Sequence, residues 1–192
     1  MGLTIISNNC SGARLQQDLR MQYQSPTIIL QILPEEYPKF CMHLKHYMDA
    51  ELKEYKEFSE IHHLQMVKLL GQEPYFPCGI IDDVAVLFQH YETFEEAKEK
   101  WERRKARMDY DHIGYMFVLE KPYIVEAMEF GNLPLKNSVL FTRGFDVDVP
   151  IEHHRYDLPE GTEYLQRDPR TGFRYFEYGF NRKKFLEGIT NG

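Results

Sequence analysis

The chain has little of what would staple it, embed it or draw it to a polyanion. Only three of its 192 residues are cysteine, Cys10, Cys41 and Cys78. They are too few and too scattered for a disulfide framework or a CxxC metal knuckle, and their odd number fits a reducing compartment. Long apolar runs are missing: the longest, Ile113 to Leu119, falls far short of the roughly 20 residues needed to cross a bilayer. The opening MGLTIISNNC has neither a basic start nor an extended apolar core, and Ile6 stands where a myristoylation signal would have Ser or Thr. Basic excess is absent too. With 30 acidic against 23 basic side chains the net charge is -7, which argues against broad affinity for nucleic acid but leaves room for a local phosphate site. The expectation is a cytoplasmic protein with no membrane span and no nucleic-acid partner.

What is present suits a globular enzyme-sized domain. At 43% apolar and 28% charged residues the composition is ordinary, and a chain of this length buries roughly 70% of its unfolded surface without a structural metal. One domain over residues 1–192 is expected, with a core at about 1–149 and a tail at about 150–192 where prolines and glycines are frequent.

Along the chain, Thr4 to Ser7 reads as a strand that runs into the turn-rich Asn8-Asn9-Cys10-Ser11-Gly12 and a helix over Ala13 to Arg20. Thr27 to Leu33, nearly all apolar, reads as a central strand. Pro34-Glu35-Glu36 opens a helix whose apolar period, from Tyr37 to Tyr55, predicts about five turns. Lys56 to Gln72 has no clear period. Val84 to Tyr91 follows the turn Ile81-Asp82-Asp83 and reads as a buried strand, and Thr93-Phe94-Glu95-Glu96 is a capping box opening a helix through Met108. A strand at His112 to Leu119, a short helix at Tyr123 to Phe130 and a strand at Asn137 to Thr142 follow. Alternating strands and helices predict an α/β fold: a layered, largely parallel sheet flanked by helices, with an irregular C-terminal segment that holds an extended piece at Tyr175 to Phe180 and a terminal helix from Arg182.

Three segments together, ISNNC, YQSPT and YFPCGIIDDVAVLFQHYETFEEAKEKWERRKARM, resemble a bacterial family of unassigned chemistry labelled as exopolysaccharide biosynthesis proteins, found among capsule and surface-polysaccharide genes. The resemblance runs from about Ile5 to Thr142; where the family has an aromatic and a glycine pair after NNC, this chain has Ser11, Gly12 and Ala13. It implies an α/β fold, a sugar or activated-sugar substrate and partners among polysaccharide-assembly enzymes. It supplies no catalytic residue and no cofactor.

Candidate chemistry comes from position. Ligands of parallel sheets gather at the carboxyl ends of strands, which singles out Asn8, Asn9 and Cys10. A thiolate at a helix amino terminus is stabilised by the dipole, and the two asparagines can donate to an oxyanion, a combination suited to acyl transfer. The bland alternative is a structural turn around a small buried cysteine. His90, at the end of VAVLFQHY, is the general-base candidate, expected to approach Cys10 if their strands are neighbours. Arg103, Arg104 and Arg107 lie close together on the predicted helix and form a candidate phosphate clamp, against the alternative of a solvated face with Glu99 pairing Arg103. Asp82-Asp83 and Asp146-x-Asp148 are weak candidates for a divalent ion, and the adjacent pairs His62-His63 and His153-His154 point in different directions. No residue is assigned as a metal ligand. The leading expectation is a transferase of exopolysaccharide or capsule biosynthesis acting on a sugar or activated sugar, acyl transfer being one form it could take; the alternatives are a divalent-ion-dependent nucleotide-sugar glycosyltransferase and a non-catalytic accessory protein of polysaccharide assembly.

Overall fold

Strand residues that alternate between two buried faces need cover on both sides, and this requirement organises the molecule. The computed structural model describes residues 2–191. In chain order its strands are β1 (Thr4–Ser7), β2 (Gln31–Ile32), β3 (Leu52–Glu54), β4 (Cys78–Ile81), β5 (Val84–Leu87), β6 (Ile113–Leu119), β7 (Ser138–Arg143) and β8 (Glu152–Tyr156). The helices are α1 (Ser11–Asp18), α2 (Tyr37–Met42), α3 (Leu44–Asp49), α4 (Glu60–Leu70), α5 (Phe94–Lys105), α6 (Ile124–Gly131) and α7 (Arg182–Asn191).

Two four-stranded sheets result. The first, in the order β1-β6-β7-β8, is parallel throughout. One of its faces presents Ile6, Phe117, Leu119 and Leu140 to Tyr37, Phe40 and Phe130. The other presents Ile5, Met116, Val118, Val139 and Phe141 to Leu15, Phe176, Phe185 and Ile189. The Tyr37 hydroxyl is shared between the carbonyls of Ile6 and Met116, at 3.0 and 2.9 Å, and so ties the α2 layer to both β1 and β6. The second sheet, β2-β5-β4-β3, is antiparallel, and Leu33, Met66, Cys78, Ala85 and Leu87 fill the space beneath α4.

The α/β layering and the parallel sheet agree with the alternation in the sequence; four local expectations change. Thr27 to Leu33 is no central strand: only Gln31–Ile32 pairs, at the edge of the antiparallel sheet. The chain is turned just before it by an Ile28 N–H bond to Pro26 O and by Ile29, a β-branched residue at φ 61° that cannot continue a strand. The long helix after Pro34 is two short ones, broken at His43 and followed by β3, although Phe40, Leu44, Tyr47 and Met48 keep one buried side throughout. Val84 to Leu87 belongs to a β4-β5 hairpin turned by Asp82-Asp83, with Asp82 at φ 54°, and not to the parallel sheet. Finally, the tail is less irregular than expected. Glu152–Tyr156 completes the parallel sheet, Tyr175–Glu177 is a single 3₁₀ turn, and α7 packs on β6 over Gly114, where a Cβ would come within 2.3 Å of Ile189. The Lys56 to Gln72 stretch contains α4, capped by Ser59 and ended by Gly71 at φ 75°.

Buried charge pins two of these connections. Asp18 at the end of α1 takes a bidentate bond from Arg174 at 2.9 and 2.8 Å and an ion pair from Arg167 at 2.6 Å, anchoring the tail. On the antiparallel sheet, Glu36 accepts from the Ala85 N–H at 2.8 Å and pairs with His62 of α4 at 2.6 Å. The Glu36 carboxylate holds the His62 imidazolium, raising its pKa from 6.5 to about 9 against the opposing effect of burial. Because the folded pKa lies above the unfolded one, the stabilisation is complete below about pH 6.5 and is lost as pH rises through about 9. His62→Gln should therefore cost about 2 kcal/mol at pH 6, by analogy with other hydrogen bonds to charged groups. Urea unfolding at a series of pH values should show this deficit shrinking toward pH 9.5, and a constant deficit would remove the ionic contribution.

Candidate functional site at the carboxyl edge of the parallel sheet

Parallel strands deliver their carboxyl ends to one edge. Here β1 is followed by Asn8-Asn9-Cys10 and β6 by Glu120-Lys121, β7 ends at Arg143, and β8 ends at Tyr156. The β1-β6 ladder stops at Ser7 opposite Met116. Beyond it the Asn8 carboxamide continues the pattern: Val118 N–H donates to Asn8 Oδ1 at 2.9 Å, and Asn8 Nδ2 donates to Val118 O at 3.1 Å. Asn9 Nδ2 reaches the same carbonyl at 3.2 Å, while Asn9 Oδ1 accepts from the Ser11 N–H at 3.1 Å and organises the entrance to α1. The asparagines thus build the turn, and each amide keeps a second hydrogen.

Cys10 occupies the N-cap position of α1 and is buried, and its Sγ lies 3.4 Å from His90 Nε2. The two residues meet by another route than neighbouring parallel strands. His90 is an exposed loop residue after β5 of the antiparallel sheet, and it bridges from one sheet to the end of the other. The expected helix-terminal thiolate does not form. Burial pushes the Cys10 thiol up to about 11, with nearby Arg14 opposing this and Glu120 adding to it. At neutral pH the resting sulfur is a protonated thiol touching an imidazole.

A cavity of about 240 Å³ opens beside this turn, lined by Asn8, Asn9, Gln31, Glu120, Tyr123 and Arg143 among others. Glu120 is an exposed residue at the rim of the cavity, and partial desolvation of its carboxyl raises it to about 7; Arg143 opposes the rise and Glu163 of the tail adds to it. Neither Glu120, Arg143 nor Tyr123 was singled out from the sequence. The rule that selected Cys10, the first residues beyond a parallel strand, applies equally to Glu120 after the apolar run of β6.

A second, larger concavity of about 960 Å³ starts at the end of β8 and runs along the tail, with Phe173 and Tyr178 exposed beside Arg170, Arg182 and Lys183.

The arginine clamp does not assemble. Arg104 turns inward, donating to Ile28 O at 3.1 Å and to the Tyr91 hydroxyl at 2.8 Å, because adjacent helical residues such as Arg103 and Arg104 cannot share one face. Arg103 pairs with Glu99 at 3.5 Å on the solvated side, and Arg107 lies exposed past the end of α5. The acidic pairs have local partners. Asp83 accepts from Lys39 and Tyr47, Asp82 pairs with His46, and Asp146 holds Arg155. His62 and His63 serve Glu36 and Glu73, while His153 bonds Thr142 and His154 pairs with Glu152. Among the described residues no three His, Cys, Asp or Glu side chains cluster as a metal set.

The chain belongs to the family described as Domain of unknown function (DUF1919), which matches residues 1–148. It is 26% identical over 191 residues to an uncharacterized protein of Haemophilus influenzae, covering 97% of this chain and 80% of that relative. The matched span includes the whole Asn8 to Cys10 turn, His90, Glu120 and Arg143, and stops before β8.

With the thiol at about 11 and Cys78 pushed up to about 12, alkylation by iodoacetamide should be slow at pH 7 and quicken about tenfold per pH unit toward pH 10. Cys10 should label first and Cys41, fully buried in the main core and raised further still, last. Peptide mapping over pH would check this. A Cys10 rate that is already level below pH 8 would show instead a preformed thiolate-imidazolium pair.

Proposed function

We propose that this chain is a transferase of bacterial exopolysaccharide or capsule biosynthesis that passes an acyl group through Cys10 to a hydroxyl of a sugar or activated sugar. The observation that carries the reading is the 3.4 Å approach of Cys10 Sγ to His90 Nε2 at the carboxyl edge of the parallel sheet. A thiol raised to about 11 is inert alone, so a base in contact with it is what the chemistry requires.

With an acyl thioester as donor, His90 takes the thiol proton as Sγ attacks the acyl carbon. Collapse of the tetrahedral adduct expels the donor thiolate, which receives the proton from His90. In the second half, His90 takes the proton of an acceptor hydroxyl as its oxygen attacks the Cys10 thioester, and the departing Cys10 sulfur regains that proton. Sugar as the acceptor class is supported by the sequence resemblance and by the exposed rings of Phe173 and Tyr178, whose faces suit stacking on pyranose rings. The metal-bridged glycosyltransferase reading has less support, since Asp82, Asp83 and Asp146 are already held by His46, Lys39, Tyr47 and Arg155.

Intact-mass measurement after incubation with short acyl thioesters tests this. Wild type should gain one acyl group, mapped to Cys10, and Cys10→Ser should gain none. His90→Gln should acylate on the order of 10²-fold more slowly, the usual contribution of a positioned base. Acylation at wild-type rate in both variants, or none in wild type across thioesters of different chain length, would contradict the reading.

A further inference from the structure

The cavity beside Cys10 contains more recognition chemistry than a thiol-imidazole pair uses. Arg143 enters it from the end of β7 with no hydrogen bond or ion pair to its guanidinium among the described residues, whereas Arg155, Arg167, Arg174 and Arg182 are all bridged to carboxylates. Tyr123, 3% exposed, lines the same cavity, and its buried hydroxyl has no hydrogen-bond partner among the described residues. A buried hydroxyl left without a partner is costly unless a ligand completes it. Asn8 and Asn9 add amide hydrogens from the opposite strand end. All four side chains can donate, and at the far edge of this donor-rich pocket sits one carboxyl, Glu120.

We infer that this cavity is a phosphoryl-binding site in which Arg143, Tyr123, Asn8 and Asn9 donate to the phosphate oxygens beside the Glu120 carboxyl. A planar guanidinium fork with several neutral donors matches a tetrahedral oxyanion. The inference rests on the proposed transfer reading only for its place in a reaction, since it names the activated-sugar phosphate as the group that orients the acceptor near Cys10.

Glu120 is what distinguishes this site from a generic cationic patch. Around it stand Arg143 on β7, its neighbour Lys121, Glu163 and Tyr164 of the tail, Tyr156 on β8 and Cys10 at the start of α1. Partial desolvation raises its carboxyl to about 7, with Arg143 and Lys121 favouring the ionised form and Glu163 disfavouring it. A bound anion next to an ionised carboxylate repels it, so binding near neutral pH shifts Glu120 toward its protonated form and takes up a fraction of a proton from solvent. That coupling is measurable.

Calorimetric titration of the full chain at pH 7.5 in two buffers of different ionisation enthalpy reads both affinity and proton uptake. Sulfate is the principal probe because it does not itself titrate near neutrality; inorganic phosphate, a sugar 1-phosphate and acetate are the comparison probes. Wild type should bind sulfate and phosphate with proton uptake on sulfate binding. Arg143→Gln should weaken sulfate binding at least tenfold and Arg143→Lys should recover part of it. Glu120→Gln should bind sulfate at least as tightly as wild type but without proton uptake. Tighter binding of the sugar 1-phosphate than of phosphate would assign the site to a phosphorylated sugar, and equal binding to free phosphate. Unchanged sulfate affinity in Arg143→Gln, no binding in wild type, or acetate binding as tightly as sulfate would overturn the inference. The acylation assay stays independent of this one: loss of sulfate binding in Arg143→Gln without any Cys10 acylation would keep the phosphoryl site and reject acyl transfer, and the reverse pattern would do the opposite.

Discussion

Asn8 is the joint on which the molecule turns. Its carboxamide replaces a strand residue, satisfying both the N–H and the C=O of Val118 and extending the parallel ladder one step past β1. Its own carbonyl accepts the Ile32 N–H at 2.8 Å, the first contact of the antiparallel sheet's edge strand with the parallel sheet. One residue therefore belongs to both sheets, by side chain to one and by main chain to the other. A backbone strand could not do this, because its polar groups would be committed to a single ladder. The neighbouring hydroxyl chain, with Thr27 Oγ1 accepting the Ser7 N–H at 3.1 Å and Ser25 Oγ 2.7 Å from Thr27 Oγ1, closes the same seam.

The seam decides where chemistry can occur. Holding the two sheets together at Asn8 brings the loop after β5 over the end of β1, so that His90 reaches Cys10 from a different sheet. It also keeps the turn dry enough that burial outweighs the helix terminus and leaves the sulfur protonated, which makes the imidazole contact the deciding feature of reactivity. The tail contributes from the other side. Anchored on Asp18 through Arg174 and Arg167, it brings Glu163 and Tyr164 near Glu120 and Cys10. The tail lies beyond residues 1–148 of the family match.

Much of the parallel sheet could be read from the sequence, because Thr4 to Ser7, Ile113 to Leu119 and the strand ending at Thr142 are apolar on both faces and only a covered sheet accepts such runs. The Thr93 cap was equally legible: its hydroxyl accepts the Glu96 N–H at 3.2 Å, a local bond that local sequence encodes. What stayed hidden was set by distant partners. β8, Glu-His-His-Arg-Tyr, has no apolar alternation because it is an edge strand whose pairing comes from β7. The break at His43 left the apolar period undisturbed, since both short helices bury the same side. Within the site, Cys10 and His90 were legible as residue types at strand ends, but the sheet that carries His90 was not, because the strand before the Asp82-Asp83 turn, Cys78–Ile81, is too short and Gly-interrupted to read as the hairpin partner of Val84–Leu87. Glu120 and Arg143 are exposed charged residues at strand ends, and only their shared place in the cavity and the absence of a hydrogen bond or ion pair at the Arg143 guanidinium among the described residues mark them out.

The account stands on the Asn8 side chain extending the parallel ladder to Val118 and so fixing the main-chain carbonyl that meets Ile32, and hydrogen exchange in Asn8→Ala reads that support directly. Loss of a buried carboxamide that serves two main-chain groups should release on the order of 1–3 kcal/mol of local protection. The Val118 amide and the amides of Asn9, Cys10 and Ser11 should then exchange at least tenfold faster, while the β7-β8 ladder keeps its wild-type protection. Unchanged exchange at Val118, or a uniform loss across both sheets, would contradict the claim that this one side chain holds the seam and with it the Cys10-His90 contact.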